Sequence, residues 1–78
     1  SMVGHLLGAS GALEAITSIL SINKSIITPT INYKEVDPDC DLNYVPNESI
    51  NQVTENTLSN SFGFGGHNSV LAISKYIK

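Results

Sequence analysis

Between Ser10 and Ser25 the apolar residues recur at helical spacing. Ala12, Leu13, Ile16, Ile19 and Leu20 fall on one stripe that runs out at Asn23, with Ser18 and Ser21 on its flanks. The pattern predicts a helix from about Ser10 to Ser25 whose stripe faces a core. Glu14 is placed in its first turn and Lys24 in its last, which suits the helix dipole at both ends. Thr28-Pro29 forbids continuation, because a residue before proline is pushed out of the α region.

The end of the chain has the other period. Leu71, Ile73 and Ile77 alternate with Ala72, Ser74 and Tyr76. Thr57 to Phe62 and Asn68 to Tyr76 are predicted to pair as an antiparallel hairpin. Neither face of the second strand is strongly polar before Lys75, so cover is expected on both. The stretch from Ile26 to Asn56 keeps no period and holds Pro29, Pro38 and Pro46. Short extended pieces are expected at Thr30 to Tyr33 and Leu42 to Val45, with turns elsewhere. Roughly 30 irregular residues are more than a compact domain tolerates, so this part reads as a surface excursion. One helix and two strands cannot cover each other. The chain is expected to be a piece of a layered α/β structure and not an autonomous domain.

Size and charge sharpen that picture. A domain of 78 residues buries only about 60% of its unfolded surface, which leaves a marginal core. A single cysteine, Cys40, offers no internal disulfide, and His5 and His67 lack the spacing of metal ligands. Four basic and seven acidic residues give a net charge of −3, with no Lys/Arg cluster to neutralise a row of phosphates. Nucleic acid is therefore not expected as a partner. The apolar runs are far short of the roughly 20 residues that span a bilayer, so no membrane is expected either. Ser1 to Gly11 lacks the charged start and apolar block of a secretory leader, and a reducing, cytoplasmic setting is expected.

Two segments carry candidate chemistry. In Asn60-Ser61-Phe62-Gly63-Phe64-Gly65-Gly66-His67-Asn68, glycines allow positive φ, while phenylalanines stand where a surface turn would carry Asn, Asp or Ser. The layout is a tight strand–bend–strand corner with rings facing a cavity or a core. The second segment is Gly4-His5-Leu6-Leu7-Gly8-Ala9-Ser10-Gly11, where Gly8 and Gly11 permit close packing as the helix begins. His5 then stands just outside the positive end of the helix, which favours a neutral ring donating one hydrogen bond. Such a donor suits a developing oxyanion. Taken alone, His5 reads more simply as a hydrogen-bonded structural histidine.

Together the segments are specific. Ser1 to Ala12 resembles the histidine motif of the β-ketoacyl-acyl-carrier-protein synthases, and Asn60 to Asn68 resembles their C-terminal glycine–phenylalanine loop. Asp37-Pro38-Asp39-Cys40-Asp41-Leu42-Asn43-Tyr44-Val45-Pro46 is similar to the type II members. The resemblance implies a thiolase-like fold of two similar halves, each a mixed sheet layered with helices. This chain would be the C-terminal part of the second half, supplying a buried helix, an excursion and an antiparallel strand pair.

The activity implied is a decarboxylating Claisen condensation in fatty acid elongation. It needs no cofactor and no metal. Acyl carrier protein, loaded with malonyl and acyl groups, is the implied partner, and the full-length enzyme is implied to be a homodimer. His5 matches a catalytic histidine that hydrogen-bonds the malonyl thioester oxygen. Phe64 matches a gating phenylalanine whose backbone N–H contributes to an oxyanion hole. Phe62, Gly63, Gly65, Gly66 and Asn68 match positions that shape the pocket, although Phe62 reads equally as core packing. Where many members carry threonine this chain has His67, read as a structural or loop-bonding imidazole.

The family's nucleophilic cysteine, its first catalytic histidine and a lysine just before the Ser-Met of this motif are not in the chain. Cys40, among Asp37, Asp39 and Asp41, reads as an inert thiol. The polypeptide by itself is expected to be inactive. Besides a type II fatty acid enzyme, the residues leave open the ketosynthase domain of a polyketide synthase and a non-catalytic synthase-like partner.

Overall fold

A computed structural model describes residues 1–77. A 3-10 turn, Leu7–Ala9, leads directly into helix α1, Ser10–Lys24. After α1 come two short strands, β1 (Ile26–Ile27) and β2 (Ile50–Asn51), then the longer β3 (Asn56–Gly63) and β4 (His67–Ser74). β1 pairs antiparallel with β2, and β3 with β4, as two separate two-stranded sheets. The α/β class and the helix, excursion and strand-pair order expected from the sequence are present.

The end signals of α1 differ in part from expectation. Because the helix begins at Ser10, Glu14 falls in the second turn and the first turn holds no acidic residue. The helix stops before the proline acts. Ser25 turns left-handed (φ 53°) and its N–H bonds the Ser21 carbonyl, an αL ending made by a serine. Lys24 lies in the last turn, as expected. Thr17 and Ser18 donate their hydroxyls back to the carbonyls of Leu13 and Glu14, at 2.9 and 3.0 Å.

The larger surprise is which side of α1 is covered. The predicted core stripe lies away from the hairpin: Ile16 is 54% exposed, and Ile19 and Leu20 are exposed too. The side that packs on β3 carries Ser10, Gly11, Glu14 and Ser18. A methyl group added at Gly11 would lie 3.7 Å from Ser61 Oγ, so the helix comes close to the strand here. Among the described residues only Ile22, 8% exposed, is a buried apolar side chain. The helix is thus not buried within this chain, in keeping with the expectation that one helix and two strands cannot cover each other.

The hairpin runs in continuous register from Asn56↔Ser74 to Gly63↔His67. The first strand begins and ends one residue outside its predicted span. The second starts at His67 and ends at Ser74, short of Tyr76, though the Lys75 N–H still bonds the Glu55 carbonyl at 2.7 Å. Thr57, Ser59, Ser61 and Ile73 are half-buried, while Leu58, Phe62 and Val70 are exposed.

The excursion is tied more tightly than its lack of period suggests. β1 and β2 close its base through Ile26↔Asn51 and Ile27↔Ile50, a pairing with no periodic signal in the sequence. The extended pieces expected at Thr30 to Tyr33 and Leu42 to Val45 are not strands. They meet in one parallel bridge, Thr30↔Pro46. Pro46 has no N–H to extend a ladder, and Val45 and Asn47 take positive φ on either side of it. Side chains complete the tie. Asn47 accepts from the Tyr33 N–H through Oδ1 and donates to the Tyr33 carbonyl through Nδ2, while the Tyr33 and Tyr44 rings stack at 6.1 Å. Partial desolvation, then the neighbouring Cys40 thiol and last the Tyr33 phenol, push the Tyr44 phenol up from its ordinary value.

Candidate functional site

The N-terminal segment, the start of α1 and the bend end of the hairpin enclose an open cleft of about 900 Å³. His5 is in its wall. Its Nδ1 accepts a hydrogen bond from the Leu7 N–H at 2.9 Å. That nitrogen is unprotonated in this arrangement, so Nε2 carries the ring proton and is the only donor. The turn that presents His5 is strained and locally held. Leu7 sits at φ +54°, a left-handed conformation costing about 1–3 kcal/mol for a side-chain-bearing residue. Gly4 takes φ +68° without that cost. The Leu6 N–H donates to Ser10 Oγ at 3.1 Å, closing the turn onto the helix.

Ser10 is therefore engaged backwards, and Ala9, at the cap position, makes no side-chain bond. The first amides of α1 are left without a side-chain cap, and Ser10 and Gly11 line the cleft. The partial positive charge of the helix end favours an anion there. Glu14 opposes it in part. Its Oε2 accepts from Ser61 Oγ at 3.3 Å, linking helix to β3 along the cleft wall.

The sequence-derived site residues divide into two groups. His5, Phe62, Gly63 and Asn68 share the cleft wall, with Phe62 opposite Asn68 in the ladder. Phe64, Gly65 and Gly66 form the three-residue bend and are not among the lining residues. Gly65 and Gly66 take φ of +80° and +84°, values that require glycine. The Phe64 ring is 100% exposed at the tip. Glu14, Ser61 and His67 also line the cleft and were not predicted to. For Glu14 the signal was available: it follows Ser10 by one helical turn, on the same face.

With the helix start, the histidine turn and the hairpin end described, the chain is similar to the β-ketoacyl synthases. Residues 1–34 match the family described as beta-ketoacyl synthase, C-terminal domain. The chain is 53% identical over 76 residues to the 3-oxoacyl-[acyl-carrier-protein] synthase 2 of Synechocystis sp., and 54% identical to that of Staphylococcus aureus strain COL. Each alignment covers 97% of this chain and 18% of the relative, so the chain spans less than a fifth of the length of these enzymes.

Solved structures agree. The ishigamide ketosynthase/chain length factor superposes with a TM-score of 0.84 at 43% identity, covering 88% of this chain and 17% of that one. A type II polyketide ketosynthase, solved with its acyl-carrier protein and bound to the hexaketide, gives 0.83 at 39% identity over the same 88% of this chain. The fold is that of a piece of a thiolase-like enzyme.

Proposed function

We propose that this chain is the C-terminal part of the second thiolase-like half of a 3-oxoacyl-[acyl-carrier-protein] synthase 2, and that it does not fold alone. The intact enzyme condenses an acyl thioester with malonyl-acyl carrier protein, as a cytoplasmic homodimer without a cofactor. Support for non-autonomy comes from Ile22 being the single buried apolar side chain among the described residues. The higher identity to the 3-oxoacyl-[acyl-carrier-protein] synthases 2, 53–54% against 39% for the type II polyketide ketosynthase, favours fatty acid elongation.

In this reading the malonyl carboxylate leaves as carbon dioxide, and its bonding electron pair spreads onto the thioester oxygen. The Nε2–H of His5 donates to that oxygen as negative charge develops. The carbanion carbon then attacks the acyl thioester carbonyl and expels the thiolate of a cysteine outside this chain. The Phe64 backbone N–H contributes to the hole that receives the second oxyanion, and its ring gates the entry of the malonyl group. Phe62, Gly63, Gly65, Gly66 and Asn68 shape and brace that corner.

One observation carries the proposal: the Leu7 N–H occupies His5 Nδ1 and leaves a neutral ring with one donor in the cleft wall. In the full-length enzyme, His5→Ala is expected to slow malonyl decarboxylation by about 10²–10³-fold, the usual loss for one oxyanion donor. Acyl transfer onto the cysteine, assayed separately, is expected to persist. Undiminished decarboxylation would remove the role assigned to His5.

A further inference from the structure

His67 has no part in the reaction above, yet it stands where the bend and the cleft meet. It opens β4 opposite Gly63 and lines the cleft that His5 also lines. A methyl group added at Gly63 would sit 3.3 Å from His67 Cβ, tighter than side chains ordinarily tolerate. One added at Gly65 would lie 3.9 Å from both Cδ2 and Nε2 of the imidazole. Gly66, by contrast, has open space on that side. The glycines therefore serve different ends. Gly66 supplies a backbone angle; Gly63 clears the root of His67; and Gly65 turns the chain where a side chain would just reach the ring.

We propose that His67 is a positioning residue: its imidazole is a wall common to the cleft and to the Phe64–Gly66 bend. A ligand that presses on the ring from the cleft moves it toward the space beside Gly65, and the bend answers. A shift of the bend likewise reshapes the cleft beside His5. The role belongs to the shape of the ring and not to its proton. The proposal rests on the synthase reading only for the choice of ligand.

The test uses the full-length synthase with Phe64→Trp as a fluorescent reporter and hexanoyl-pantetheine as the probe. Probe binding is expected to shift the reporter emission. Adding His67→Ala is expected to abolish the shift, and His67→Phe, which restores a flat ring, to recover it, with melting temperatures unchanged. An undiminished shift in the His67→Ala protein would overturn the proposal. So would loss in both variants, or no shift in the reporter protein itself. If the reporter protein shows the coupling while the enzyme with Phe64 intact forms no ketoacyl product, the synthase reading is refuted and the role of His67 stands.

Discussion

The two faces of α1 are built from opposite kinds of residue, and the sorting is the reverse of a self-contained domain. Toward the hairpin lie Gly11 and Glu14, beside Ser61 of β3, and Ser18, near Thr57, with the buried Ile22 one turn further along. Away from it lie Ile16, Ile19 and Leu20, all exposed. Strand β3 repeats the arrangement, with Thr57, Ser59 and Ser61 half-buried and Leu58 and Phe62 exposed, while on β4 the apolar Leu71 and Ile73 stand opposite Ser59 and Thr57. Monomeric proteins rarely leave apolar surface in such contiguous runs. Small residues let helix and strand approach closely, and hydroxyls bond locally across the seam. The apolar sides are the surfaces that the remaining four-fifths of a synthase would cover on the reading proposed above.

The comparison breaks most directly on the outer stripe. If Ile16 and Leu20 are core in the intact enzyme, Ile16→Ala or Leu20→Ala should each cost about 2–5 kcal/mol of stability there. Denaturant unfolding of the full-length protein measures it. A cost within about 0.5 kcal/mol, the range of ordinary surface positions, would mean that the stripe faces solvent in the whole enzyme as well.

That stripe also shows what the sequence could and could not tell. Its period located α1 to within a residue, and the alternation of Leu71 to Ser74 located the hairpin, because both signals are local. Which face is covered within this piece was not legible. An apolar stripe marks where the chain is buried in the complete fold, whoever supplies the cover. The β1–β2 pair escaped because two-residue strands carry no period and their partners are separated by the whole excursion.

In the cleft, the glycine bend was legible from residue type alone, since few other needs put glycines and phenylalanines together, whereas His5 drew its candidate role from the resemblance. The contact of Glu14 with Ser61 was not, because it joins distant positions with no apolar signature. Nor was the place of His67, which depends on the register that sets it across from Gly63.

The inner face offers the next test, with a smaller effect. Gly11→Leu would force a branched chain into a seam built for small residues, and overpacking of this kind costs about 1–3 kcal/mol. The thermal midpoint of the full-length enzyme should fall accordingly. An unchanged midpoint would mean that α1 and β3 can separate, and that their close approach is not a constraint.

Gly11→Ala should go the other way. The added methyl group would meet Ser61 Oγ at 3.7 Å, ordinary van der Waals distance, and Gly11 does not take a positive φ. Alanine at that point of a helix restricts the unfolded chain without straining the folded one, a gain of about 0.4–1 kcal/mol. The pair of substitutions therefore brackets the free space in the seam: one methyl group fits and a leucine side chain does not. Destabilisation by alanine would show that Ser61 cannot yield even slightly. Its hydrogen bond to Glu14 would then be the feature that fixes the spacing of helix and strand, since Ser61 Oγ holds Glu14 Oε2 at 3.3 Å one helical turn further along the same cleft wall.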